Sequence, residues 1–371
     1  MAAARAVAPS LVRETGVITS VASALALAQG QAGGHYVYFD GNRLWVNQGR
    51  TWLAIDPESR ETVAGPILLD SWPRAIAFDG HQLWFLIYDG LQSIDVDAGK
   101  LGSLIKVEES TRRLPSLVYD GKRLWFPGKQ GLQSIDPVSR QISPPIVDVG
   151  NNSFDYPCMA IVDDTHEFLW FKDWIRDKTY KIDLKQNKLL NTPVQDYGLC
   201  PAYHEPIDRV TPWIYHAEGL WIYDGTSWRL FDTQTGSVKA STPRGEGSIQ
   251  HAVLASGRLW VTSPVFWTLQ SFDAVTGQPD PPIPLLGVPG TLAFDGKRLW
   301  IMLFEPGSGK FQGLQYIVPN EPAANIVPPT QAATPAAEAK QPILRTNLDS
   351  YLDVIDFQRG RPSFEGRKMR P

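Results

Sequence analysis

Phe294-Asp295-Gly296-Lys297-Arg298-Leu299-Trp300 is the phrase on which the chain is built. It recurs almost letter for letter at Tyr119-Asp120-Gly121-Lys122-Arg123-Leu124-Trp125, and copies run from Phe39 to Trp45 and from Phe78 to Trp84. Looser copies end at Trp170, Trp221 and Trp260. Seven tryptophans therefore mark seven units, spaced 39 to 51 residues apart. A period of about forty, with short strands and turn signals inside each unit, belongs to a β-propeller rather than a helical solenoid.

Each unit reads as four strands. In the second, these are Arg74 to Phe78, Gln82 to Tyr88, Leu91 to Asp95 and Leu104 to Val107. Asp79-Gly80 turns the first into the second, because Gly supplies positive φ and Asp bonds its own backbone. Leu and Trp are adjacent in the phrase, so in a strand they point to opposite faces, and both faces must be covered. A blade sandwiched between two neighbours meets that condition. A buried Trp removes roughly 150–250 Å² from water, worth several kcal/mol per blade at about 25 cal/mol/Å² before entropy is subtracted. The seven tryptophans are accordingly assigned to the core between blades and not to ligand binding.

A second signal follows in phase: Ile55-Asp56, Ile94-Asp95, Ile135-Asp136, Ile182-Asp183, Phe231-Asp232 and Phe272-Asp273. A Gly stands four residues after Asp95, Asp232 and Asp273. This is a hairpin capped by Asp, since acids spread around a ring cannot converge on one cation.

The 371 residues suffice for a seven-bladed propeller and a tail. Thirty-one Gly and thirty Pro suit a turn-rich all-β fold, while 43% hydrophobic residues separate the chain from disordered sequences. A net charge of −4 gives no basic excess for nucleic acid. No stretch reaches the roughly 20 apolar residues that span a bilayer. Cys158 and Cys200 make neither a disulfide framework nor a zinc site, and read as free thiols in a reducing, cytoplasmic setting. Val17 to Ala28 is mildly apolar and ends in Ala26-Leu27-Ala28, a leader-like pattern that Glu14, Thr19, Ser20 and Ser23 weaken.

An insertion around Gln195 to Val210, between blades four and five, carries Tyr197, Cys200, Tyr203, His204 and Glu205. The propeller is expected to occupy 1–319. Residues 320–342 are rich in Pro, Ala, Thr and Gln and read as an extended linker. In 343–371, Leu348, Tyr351, Leu352 and Ile355 fall at i, i+3, i+4 and i+7, predicting a short amphipathic helix over 347–359 before a basic end. Its apolar face implies docking; the competing reading is a disordered terminus.

Patterns for chemistry fail one by one. Gly307-Ser308-Gly309-Lys310 lacks the first Gly of a phosphate loop and is followed by Phe311. His166-Glu167 lies in a turn, and His204-Glu205 alone is not a metal site. No Gly-x-Ser-x-Gly elbow occurs. The inner strands begin with His35, Arg74, Pro115, Cys158, Thr211, His251 and Gly290, a mixed ring at the channel mouth whose candidates are His35, Arg74, Cys158 and His251. A lone His there is more often a hydrogen-bonded wall residue. Loops between blades share one face with the hairpins joining second and third strands. Trp72, Arg112, Arg113, Asn151, Asn152, Tyr156, Trp174, Arg176, Tyr203, His204, Glu205 and Arg244 lie on these loops. Aromatics and arginines are enriched at binding hot spots, so Trp72, Arg74, Arg113, Tyr156, Trp174, Tyr203, His204 and Glu205 become partner-binding candidates. Ordinary loop composition is the competing reading.

The phrase Phe-Asp-Gly-x-x-Leu-Trp, followed by Ile-Asp-x-x-x-Gly, resembles the bacterial seven-bladed propellers of the YVTN/NHL-like group, which includes virginiamycin B lyase-like proteins. The resemblance covers about Gly16 to Pro319 and departs from WD40 proteins, since no Trp-Asp dipeptide ends the third strand. It implies a binding or scaffolding module without a cofactor. Its lyase branch implies His and Glu around the channel with a divalent ion, yet no glutamate stands beside His35 and His251. The first expectation is thus a non-enzymatic module for a protein or peptide partner. The alternative is a metal-assisted lyase or lactonase acting near His35, Arg74 and His251.

Blade seven lacks a fourth strand, because Val318-Pro319 leads into the linker. An unpaired edge there would invite aggregation. Glu14-Thr15-Gly16-Val17-Ile18 mirrors Gln234-Thr235-Gly236-Ser237-Val238, where a fourth strand begins. Residues near 17–21 are therefore predicted to pair with Leu314 to Val318 and close the ring, which argues against a leader cleaved after Ala28.

Overall fold

The computed structural model describes residues 12–18, 36–107, 116–128, 131–145, 157–163, 165–173, 178–190, 213–223, 226–243 and 251–319. They form seven antiparallel sheets, the blades of an all-β propeller. The innermost strands trace the ring. Val37–Phe39 lies beside Val288–Phe294, and that beside Ala252–Ala255. Trp213–His216, Pro157–Val162, Val118–Tyr119 and Pro73–Phe78 follow in turn.

Blade seven consists of Val288–Phe294, Leu299–Phe304 and Phe311–Pro319, with Val12–Ile18 as its outer strand. The N-terminal strand therefore closes the ring, with Gly16 opposite Tyr316 and Ile18 opposite Leu314. It begins earlier than the 17–21 expected, and residues 19–21 lie outside the described set. The register follows from the fit of Gly16 over the Tyr316 ring, so this Gly belongs inside the strand and not to a turn before it. In blade two the outer position is split into Lys100–Leu101 and Ile105–Lys106, where Gly102 folds back to donate to the Ser93 carbonyl at 2.7 Å. In blade three, a bridge between Ile135 and Ile142 marks that position among the described residues. The linker 320–342 and the helix predicted over 347–359 lie outside the described residues.

All seven motif tryptophans are fully buried, each against the next blade. Trp45 packs with Leu83 and Phe85, and Trp84 with Leu124 and Phe126. Trp125 meets Leu169 and Phe171, Trp170 meets Leu220 and Ile222, and Trp221 meets Leu259 and Val261. Trp260 packs with Leu299 and Ile301, and Trp300 returns to Leu44 and Val46 of blade one. Within each phrase, Trp faces one neighbour and Leu the other, as strand alternation requires.

The Asp of the phrase ties the turn to that core. In blade one, Asp40 Oδ1 accepts the backbone N–H groups of Asn42 and Arg43, while Oδ2 accepts the indole N–H of Trp45 at 2.7 Å. The arrangement recurs at Asp79 with Trp84, Asp120 with Trp125, and Asp295 with Trp300. Blades five and six lack this Asp, and their indoles turn to carbonyls: Trp221 to Ala274 O and Trp260 to Ala255 O. In blades one, three and seven the Arg of the phrase straps one blade to the next. Arg43 donates to Val96 O and Asp97, Arg123 to Asn187 at 2.8 Å, and Arg298 to Pro57 O and Glu58 at 3.2 and 2.6 Å. The last strap joins blade seven to blade one. The hairpin aspartates behave as caps. Asp56, Asp95, Asp136, Asp232 and Asp273 each accept two backbone N–H groups from the residues that follow.

Candidate binding face

The loop face is built on a repeated clamp. The third strands of blades two and seven carry Gln92 and Gln315, both buried. Gln92 Oε1 accepts the N–H of Asp70 at 3.0 Å, and its Nε2 donates to Asp70 Oδ2 at 2.9 Å. Gln315 Oε1 accepts the N–H of Leu286 at 3.2 Å. Each glutamine thereby holds the loop arriving from the preceding blade. The other side of each loop is pinned to a hairpin, by Leu69 N–H to Arg50 O at 3.0 Å and by Leu285 N–H to Trp267 O at 2.8 Å. Arg50 adds hydrogen bonds from Nη1 to the carbonyls of Leu69 and Asp70. These loops are fixed platforms, because their backbone N–H groups are satisfied from both sides, on one side by a buried glutamine.

The first platform presents Trp72 and Arg74, both half-buried. The Arg74 guanidinium lies over the ring of Tyr88, 5.0 Å from its centroid, in cation–π geometry. Tyr88 is exposed. The second platform presents an apolar tip that sequence reasoning missed. Val265, Phe266 and Trp267 form the blade-six hairpin and are 40%, 54% and 39% exposed; Leu286 beside them is 66% exposed. The signal was present, since three bulky apolar residues stand in a row in a turn where blade one places Gly49 and Arg50 and blade five Asp224 and Gly225. Trp267 sits in the left-handed region at φ 52°, held by the hydrogen bond from Leu285.

At the channel mouth, His251 is half-buried and its carbonyl accepts the N–H of Thr262 at 3.0 Å. Gly290 is set by packing, because a Cβ there would lie 2.6 Å from the Phe304 ring. Arg74 and His251 occupy equivalent starts of blades two and six, with blades one and seven between them. The backbone of Cys158 lies in the inner strand Pro157–Val162. His35, Arg113, Tyr156, Trp174, Tyr203, His204 and Glu205 lie outside the described residues. Among the described residues, no group of three or more His, Cys, Asp and Glu side chains could hold a metal ion. No described helix is long and apolar enough to cross a membrane.

No family model and no curated protein matches the chain. Solved structures do. One is the β-propeller domain of Cps50 (Swd1) from Myceliophteria thermophila, 11% identical over 78% of this chain and 98% of that chain, with a TM-score of 0.58. Kuenenia stuttgartiensis hydrazine synthase is 13% identical over 79% and 98%, with a TM-score of 0.56. U3-55K is 11% identical over 78% and 97%, with a TM-score of 0.53. At such identities the likeness is one of fold: the chain is a seven-bladed β-propeller.

Proposed function

We propose that this propeller is a non-enzymatic recognition module that takes a protein or peptide on its loop face. The observation that carries the reading is the blade-six tip. Contiguous exposed apolar side chains on a rigid frame mark interaction surfaces, because leaving them in water gains nothing for the fold. Trp, Phe and Leu anchors held in place by clamped loops lose little side-chain entropy on binding. Trp72, Arg74 and Tyr88 extend the same face with the residue types that dominate hot spots. The repeat phrase also supports grouping the chain with the YVTN/NHL-like propellers, where such a role is common.

A peptide library panned against the intact chain tests the reading. Recovered peptides are expected to bind the wild type and to lose tenfold or more in affinity with Phe266→Ala/Trp267→Ala, as truncating hot-spot aromatics costs about 1–4 kcal/mol. Peptides insensitive to that pair and to Trp72→Ala/Tyr88→Ala would place recognition elsewhere.

A further inference from the structure

We propose that the blade-six tip is the resting site of the chain's own C-terminal segment, residues 347–359, which covers it until a partner takes its place. The inference rests on the binding reading above and adds its regulation. Val265, Phe266 and Trp267 are consecutive and Leu286 follows the Leu285 that bonds Trp267 O, whereas Val63 and Val138 stand on blades one and three and Val275 in the opposite hairpin of blade six. Leu348, Tyr351, Leu352 and Ile355 would form one apolar stripe about 10 Å long in a helix, with Asp349, Asp353 and Asp356 off that stripe. So short a helix is marginal alone in water and gains order when its stripe is covered.

Reach permits the site, and its apolar tip selects it. The third strand of blade seven runs from the loop face to Pro319 at the turn face, nine residues that cover about 30 Å. Residues 320–346 read as an extended linker and can reach roughly 80 Å at about 3.1 Å per residue. The tether therefore covers the path from the foot of blade seven to the top of either neighbour, blade six or blade one. Blade one's hairpin, Gly49 and Arg50, offers no apolar tip, whereas blade six's does. A tether that spans its sites holds the segment at an effective concentration on the order of millimolar. A partner must then displace the segment, so the intact chain binds it more weakly than a chain whose segment cannot dock.

Hydrogen exchange on the full chain tests this without a partner. With Leu352→Asp/Ile355→Asp, the amides of 264–267 and 285–287 are expected to exchange severalfold faster than in the wild type, and 347–359 to lose protection. The hairpin of Gly49 and Arg50 should not change. A photo-crosslinker at Tyr351 is expected to join 264–287 of the same chain. Unchanged exchange at the blade-six hairpin, or links to another blade or another chain, would overturn the proposal. Either result leaves the recognition reading to the peptide selection, which reads a different quantity.

Discussion

Gly16 lies so close to the ring of Tyr316 that a Cβ on it would come within 2.5 Å of Cε1. Tyr316 is buried and has little room to yield, since Arg60 donates to its hydroxyl at 2.8 Å and stacks on its ring. Gly16→Ala should therefore strain the closing strand, at a cost of about 1–3 kcal/mol typical of overpacking. Faster hydrogen exchange across Val12–Ile18, with lower melting temperature and more aggregation, is the expected outcome. Adding Tyr316→Leu should recover part of the loss.

The strap from Arg298 to Glu58 makes a prediction in pH. Glu58 is held down at about 2, chiefly by the hydrogen bond from Arg298 and then by that from Lys297. A carboxylate depressed in the folded state stabilises the fold fully above its ordinary value of 4.5, and that contribution fades as pH falls toward 2. Glu58→Gln should flatten the fall in melting temperature across this window. Asp56, Asp136 and Asp232, lowered by backbone N–H donors, would supply the remaining slope. Superimposable curves for wild type and Glu58→Gln would count against the strap.

Asp120 and Trp125 are coupled through a 2.6 Å hydrogen bond within the core. Asp120→Ala orphans that indole and two backbone donors, and should cost about 2–4 kcal/mol. Once Trp125→Phe has removed the indole donor, the same substitution should cost less. A double-mutant cycle by chemical denaturation measures the difference, and strict additivity would deny the coupling.

Gln92→Leu should release the loop at Asp70 while sparing the ring. The expected cost is about 1–3 kcal/mol for the unpaired Asp70 N–H. Faster amide exchange at Asp70 to Trp72, with no change at Leu285 to Gly287, would separate the two clamps.

Blade number, strand order and the opposite burial of Leu and Trp were legible because strand alternation and the forty-residue period are local properties of the chain. The hydrogen bond from Trp300 to Asp295 was half legible: the two residues keep a five-residue spacing, and blades five and six lose the Asp together with the bond. The reach of Arg298 to Glu58 was not, since the two are 240 residues apart and meet only when the ring closes. The closing strand was placed in the correct blade, but its start depended on the shape of the Tyr316 ring. At the binding face, Trp72 and Arg74 were read from loop position. Phe266 and Trp267 were not, because bulky apolar residues beside a strand read as core until the turn at 264–267 is placed. The clamps by Gln92 and Gln315 needed coordinates, because each partner lies on the preceding loop.

Val12 stands opposite Pro319, so the two ends of the ring's chain meet at the same end of one ladder. Tension applied through the tails would load that ladder one rung at a time, as a zipper is drawn, instead of shearing all its bonds at once. Blade seven is then the mechanical weak point of the ring. A module hung by its tails would yield there first, at low force, with the other six blades still folded behind it.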